Sequence, residues 1–201
     1  MGAASQIRTS LYNIKMANVE AAFKNLHQDL LDGCKAGDQR AQFQIYKLYY
    51  KAMYNTSLRI VNDTMEAEDI MQESFLSAFE KIDTYSGTVS FGAWLKRIVI
   101  NRSLDALSKK KAIFEDIEPH IGIRDDSPDD QIRKEEVDLR VEEIKGAIDR
   151  LPDGYRIILS LYLLEGYDHD EIAEILKISS STSRSQLSRA KQKLISELKK
   201  K

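Results

Sequence analysis

Apolar residues recur along most of this chain at spacings of three and four, the period of helices buried on one side. Between Ala41 and Met53, Ile45, Leu48, Tyr49 and Ala52 fall at helical spacing. The clearest stripe is Ala67, Ile70, Met71, Ser74, Phe75, Ala78, Phe79 and Ile82. Asp63, with Glu66 three positions on, has the form of a capping box and marks the start of that helix. A turn-like run from Thr84 to Thr88 follows. Phe91, Trp94, Leu95, Ile98 and Val99 then form another stripe that ends in Lys109, Lys110 and Lys111. From Glu115 to Asp130 the periodicity lapses, broken by Pro119, Gly122 and Pro128. It resumes with Val137, Val141, Ile144, Ile148 and Leu151 and stops at Pro152, Asp153 and Gly154. Ile157, Ile158, Leu161, Tyr162 and Leu164 carry the next helix, which closes near Gly166. Asp168 with Glu171 repeats the capping pattern. Ile172, Ala173, Ile175 and Leu176 give a short packed face, Ile178 fills a turn, and Ser179 suits the N-cap of a last helix. That helix is anchored by Leu187, Ala190, Leu194 and Leu198.

The pattern predicts an all-α protein. Two small helical domains are joined by a flexible acidic linker, and the C-terminal domain holds a helix-turn-helix. The expected divisions are a leader over residues 1–23, a domain over 24–112, a linker over 113–136 and a second domain over 137–201. Length and composition agree: 201 residues, 42% hydrophobic, with only three prolines and nine glycines. The single cysteine, Cys34, excludes an intrachain disulfide framework and fits a reducing compartment. No apolar run approaches the roughly 18 residues of a membrane span. The first fifteen residues lack the apolar centre of a signal peptide, so the leader reads as disordered or extraneous, with Met16 a candidate natural start. The expected location is the cytoplasm.

Charge changes the picture. The net charge of -2 argues weakly against a nucleic-acid partner. Its distribution reverses that reading. Ser86 to Lys111 carries six basic residues against Asp105, and Lys177 to Lys201 carries eight against Glu197. Between them, Ala112 to Glu136 holds nine acids against Arg124, Arg133 and Lys134. Local charge sets the field that a polyanion meets.

Two segments therefore carry candidate DNA chemistry. The last helix opens with short donors and acceptors, Ser180, Ser181, Thr182, Arg184, Ser185 and Gln186, followed by Ser188, Arg189 and Lys191. Such side chains reach base edges and phosphates from a helix N-terminus. The same pattern also suits a solvated amphipathic hairpin. Upstream, Arg97, Asn101, Asp105 and Ser108 share one stripe, ahead of Lys109, Lys110 and Lys111. Asn suits adenine, Asp accepts from cytosine, and the lysines suit phosphates. A polar face with a lysine-rich end that complements the helix dipole is the plainer alternative.

These residues together resemble a bacterial extracytoplasmic-function sigma factor of the minimal two-domain class. Ala67 to Ile82 is similar to the family's core-polymerase-binding helix. Phe91 to Lys111 is similar to the region that melts and reads the promoter minus-ten element. Asp170 to Leu194 is similar to the region that reads the minus-thirty-five element. The three occur in the family's order, and the resemblance runs from about Leu30 onward. It implies a polymerase subunit that directs core RNA polymerase to promoters and promotes melting, not an enzyme in its own right. It implies that Asp69, Gln72, Glu73 and Leu76 bind the clamp coiled coil of the beta-prime subunit. The beta flap, promoter DNA and an anti-sigma factor are the further implied partners, with no cofactor or metal. The resemblance also implies that base capture falls to Tyr85 to Val89 with Asn101 and Asp105, and that the acidic linker threads the polymerase channels; a solubilising tether is the linker's plainer alternative. An exposed Leu76 among acids independently calls for a partner. Trp94, in register with Phe91 and Ile98, reads as core more than as a stacking wedge.

Three positions depart from the family. Lys177 stands where glycine is usual in the turn, and so calls for a positive φ. Ser183 replaces a branched apolar residue, and Ser108 replaces an arginine. The competing reading is a stand-alone helix-turn-helix regulator, which leaves the signature helix and linker unexplained. A protein that only sequesters a partner leaves both basic elements unused. A catalytic site has no support from the scattered His27, His120 and His169 or from Cys34.

Overall fold

Two helices of the N-terminal half start at aspartate caps, Asp38 and Asp63. The computed structural model describes residues 27–110 and 143–199. Helix α1 spans Gln28–Lys35 and turns at Gly37, whose φ of 78° is the left-handed region. Asp38 then accepts from the Arg40 N–H to start α2, Gln39–Val61. Asn62 closes α2 at φ 56°, and Asp63 accepts from the Glu66 N–H to open α3, Thr64–Glu80. A short 3-10 turn, Ile82–Thr84, leads to α4, Phe91–Lys110. In the second half, α5 covers 143–149 and α6 covers Asp153–Leu159. The chain then widens into a π-turn, Ser160–Leu164. Helices α7, His169–Leu176, and α8, Ser180–Leu198, form the helix-turn-helix. Among the described residues every regular element is helical.

The packing divides into two cores. The first lies within α1–α4 and the 3-10 turn between α3 and α4, where Leu31, Ile45, Met53, Phe75, Ile82, Leu95 and Val99 meet. Burial, and then the nearby Asp38 carboxylate, push the Cys34 thiol up, so it stays neutral and inert. The second core is shared. Ile60 of α2 and Ile100 and Leu107 of α4 pack with Leu151, Ile158, Leu161, Ile172 and Leu187 of the C-terminal helices. The two predicted domains therefore dock on one another.

Two of the apolar stripes are turned from the register that spacing suggests. Leu48 is 52% exposed, and Ala52 is exposed too. The inward line of α2 runs instead through Ile45, Met53, Thr56, Ser57 and Ile60. Thr56 and Ser57 are polar yet buried because each has a partner: Ser57 meets the Ser103 hydroxyl at 3.0 Å, and Thr56 donates to Glu165 at 3.1 Å. Ile144 and Leu164 likewise face outward. The leader, the linker, Val137, Val141 and Lys111 lie outside the described residues.

Candidate polymerase and nucleic-acid interfaces

Helix α3 separates its two faces cleanly. Ala67, Ile70, Met71, Ser74, Phe75 and Ala78 are buried, which leaves Asp69, Gln72, Glu73 and Leu76 outside. Leu76 is 64% exposed and stands beside Phe43 of α2, itself 58% exposed. Together with Tyr46, Gln72, Phe75 and Phe79 they line a shallow groove of about 400 Å³. The groove is apolar and edged by Gln39, Gln42 and Gln72, while Asp69 and Glu73 are exposed elsewhere on α3, so the helix offers a partner both apolar contact and negative charge. Sequence reasoning missed Phe43, which lies outside the α2 stripe. Its signal was a bulky apolar residue at a position facing away from Ile45. Glu73 also receives Arg102 of α4 at 2.8 Å, so a partner that takes Glu73 must compete with that ion pair.

Helix α4 presents Asn101, Asp105, Ser108 and Lys109 to solvent. Ser108 donates to the Asp105 carbonyl at 2.8 Å, which fixes its hydroxyl along the helix. Arg97 is half-buried and bound to Glu174 of α7 at 2.8 Å, so in this state it is not free to reach DNA. The loop before α4 is preformed. Tyr85 donates its hydroxyl to the Val89 carbonyl at 2.7 Å, and Gly87 takes φ 76° between them. The Tyr85 ring packs on Phe91 and Trp94, and Trp94 belongs to the rim of the first core. Burial raises the Tyr85 pKa, so this hydroxyl stays a donor.

In the helix-turn-helix, Asp168 and Glu171 form a full reciprocal capping box. Lys177 takes φ 55°, the left-handed conformation that its place in the turn demands. Ser179 caps α8 through the Thr182 N–H at 3.0 Å and meets the Ser181 and Thr182 hydroxyls, both at 2.8 Å. Ser180 donates to Asp170. Arg184, Ser185, Ser188 and Lys191 are exposed along one side, with Gln186 and Arg189 half-buried. Ser183 is fully buried and meets His169 Nδ1 at 2.9 Å. A hydrogen bond thus stands where an apolar contact was expected, and His169 also stacks on Tyr162.

Buried charge joins the two domains. Arg156 is 2% exposed, and its guanidinium donates to the carbonyls of Arg59 and Ile60 at the end of α2, at 3.1 and 2.8 Å. Asp153 balances its charge at 2.7 Å. Glu165, with a side chain 4% exposed, receives Lys96 of α4 at 2.8 Å together with Arg59 and Thr56 of α2. Burial alone would raise the Glu165 pKa. The hydrogen bonds from Lys96 and Arg59 outweigh it and hold the carboxyl below its ordinary value. Asn62 donates to the Asp149 carbonyl at 3.2 Å across the same boundary.

The comparisons with known proteins follow the same division. Residues 45–113 match Sigma-70 region 2 and residues 141–194 match Sigma-70, region 4. The chain is 30% identical over 175 residues to the ECF RNA polymerase sigma factor SigW of Bacillus subtilis, covering 82% of this chain and 92% of SigW. The chain belongs to the extracytoplasmic-function sigma factors. It is also 31% identical to the Bacillus subtilis sigma factor SigM, covering 75% of this chain and 91% of SigM. Two solved structures share the fold of this sigma factor at 21% identity. CnrH in complex with the cytosolic domain of CnrY gives a TM-score of 0.52 over 85% of this chain and 95% of that one. The sigma factor RpoE of Bartonella quintana, in complex with the anti-sigma factor NepR, gives 0.53 over 78% and 95%. This sigma factor therefore directs RNA polymerase to promoters, with the sigma-70 region 2 and region 4 parts in one chain. Among the described residues no helix is long and apolar enough to cross a membrane.

Proposed function

We propose that the outer face of α3 is where this sigma factor engages core polymerase. Asp69, Gln72, Glu73 and Leu76 meet the clamp coiled coil of the beta-prime subunit, and Phe43 widens the apolar contact. The observation that carries this reading is the groove in which Phe43 and Leu76 stand exposed, with Asp69 and Glu73 also exposed on α3. A large apolar pair left in water is offset only when a partner covers it.

Arg97, Asn101, Asp105, Ser108 and Lys109 to Lys111 read and hold the minus-ten strand, helped by the loop from Tyr85 to Val89. Ser181, Arg184, Ser185, Ser188 and Lys191 reach the minus-thirty-five duplex, with Ser180, Thr182, Gln186 and Arg189 at the margin. Extruding a base costs a few kcal/mol, and a preformed loop lowers that cost. The domains divide at 24–112 and 137–201, joined by the acidic linker. The chain works in the cytoplasm as a polymerase subunit and carries no catalysis of its own. The beta flap is its second polymerase contact, and an anti-sigma factor is its natural antagonist, as the two solved relatives each hold a partner.

The test is transcription from a library of random promoters by purified bacterial core polymerase, with and without the chain. Chain-dependent transcripts sharing two upstream elements are expected. Asp69→Arg with Glu73→Arg lowers core binding about 100-fold, roughly 2.7 kcal/mol, in a pull-down titration. Unchanged core binding by that double variant excludes the α3 face.

A further inference from the structure

Two half-buried cations meet at the domain boundary, and one of them lies on the helix that carries the proposed minus-ten residues. Lys96 is adjacent to Arg97 in α4, and Arg59 lies in the last turn of α2. In the docked structure both point at one carboxylate, that of Glu165. Arg97 is similarly held by Glu174. A carboxylate between two cations presents the charge and acceptor geometry of a backbone phosphate. The match is incomplete for Arg59, whose buried Nε has no hydrogen-bond partner among the described residues. A guanidinium offers a fork of donors suited to a phosphate, and Glu165 leaves part of that fork unused.

We infer that Glu165 occupies the place of a DNA phosphate: Arg59 and Lys96 are backbone contacts for the promoter strand, masked by the C-terminal domain until the two domains separate. This deepens the promoter-reading assignment of α4 and rests on it. Docking and DNA then compete for one set of cations. The free chain is held closed, and a strand that takes Arg59 and Lys96 also opens it. Glu174 acts alongside on Arg97, as a weaker contact because both partners are more exposed.

The experiment uses the full chain with dyes at Lys51→Cys and Lys199→Cys, both exposed sites on opposite domains; Cys34 is buried and is spared. Energy transfer reports docking, and anisotropy reports binding of a random-sequence single-stranded DNA. Glu165→Gln is expected to lower transfer and tighten DNA binding about tenfold. Lys96→Gln with Arg59→Gln is expected to make the salt dependence of log K shallower by about 1.4, at roughly 0.7 per phosphate contact on single strands. Unchanged transfer and affinity in Glu165→Gln, or an unchanged salt slope in the double variant, overturns the proposal. Should Glu165→Gln lose helical signal, a disulfide between Asn62→Cys and Asp149→Cys leaves the triad intact. Oxidised, that chain binds the oligonucleotide at least tenfold more weakly than when reduced; equal binding overturns the proposal. Transcription by core polymerase with the wild-type chain, run alongside, separates failure of this proposal from failure of the promoter-directing reading.

Discussion

The two cores of this molecule are stabilised in different ways. The first, around Ile45, Met53, Phe75 and Leu95, is apolar and closes within one domain. The second gathers Ile60, Ile100 and Leu107 with Ile158, Leu161 and Ile172, and is edged by Arg156 and Glu165, whose partners lie across the boundary. An apolar core loses stability in proportion to what is removed. A buried charge is favourable only while its partner is present. The first core is therefore a scaffold, and the second is a joint that holds in one arrangement and is released when its charges find other partners.

The largest effect expected from breaking this contrast is on the scaffold. Phe75→Ala removes a ring that is 3% exposed and packs against Tyr46 and Phe79, and should cost about 3–5 kcal/mol. Urea unfolding followed by circular dichroism checks it. A loss below 1 kcal/mol would mean that α1–α4 do not form an independent core.

Next is the joint. Arg156→Ala leaves the Arg59 and Ile60 carbonyls without their donor and should weaken docking by about 3 kcal/mol. Interdomain energy transfer should fall while the unfolding of α1–α4 is little changed. Equal loss in both would merge the two cores into one unit.

A smaller change tests the turn. Lys177 holds φ 55° in a place suited to glycine. Lys177→Gly should stabilise the helix-turn-helix by about 1 kcal/mol, read as a higher thermal midpoint of the C-terminal helices. A destabilised variant would contradict the strain argument.

The mildest probe is acid. The Glu165 carboxyl is held low in the docked state, after burial is outweighed by Lys96 and Arg59. Its contribution is complete above its ordinary pKa of about 4.3 and is lost as pH falls through the lowered value. Energy transfer should hold from neutral pH down to that range and then drop. Glu165→Gln should abolish the Glu165-dependent part of the step, and an identical titration in that variant would place the acid response elsewhere.

The sequence made the scaffold legible because its face is apolar at helical spacing. The capping residues Asp63, Asp168 and Ser179 were equally plain, since each carries its own chemistry. The conformation of Lys177 followed from its place in the turn. The joint was not legible. Thr56, Ser57, Ser103, Arg156 and Glu165 are polar, and a hydrophobic pattern reads them as surface. Their burial depends on partners up to 109 positions away, which no local period reveals. Phe43 escaped for the opposite reason. It is apolar but faces outward, and only the completed helix pair shows that it adjoins Leu76.

The measurement closest to the centre of this account is chain-dependent transcription by core polymerase using Asn62→Cys with Asp149→Cys, compared oxidised and reduced. The reduced chain should start transcripts from promoters sharing two upstream elements. The oxidised chain, with its domains cross-linked at the joint, should start none. Equal transcription from both forms would contradict the claim that this sigma factor must part its two domains to work.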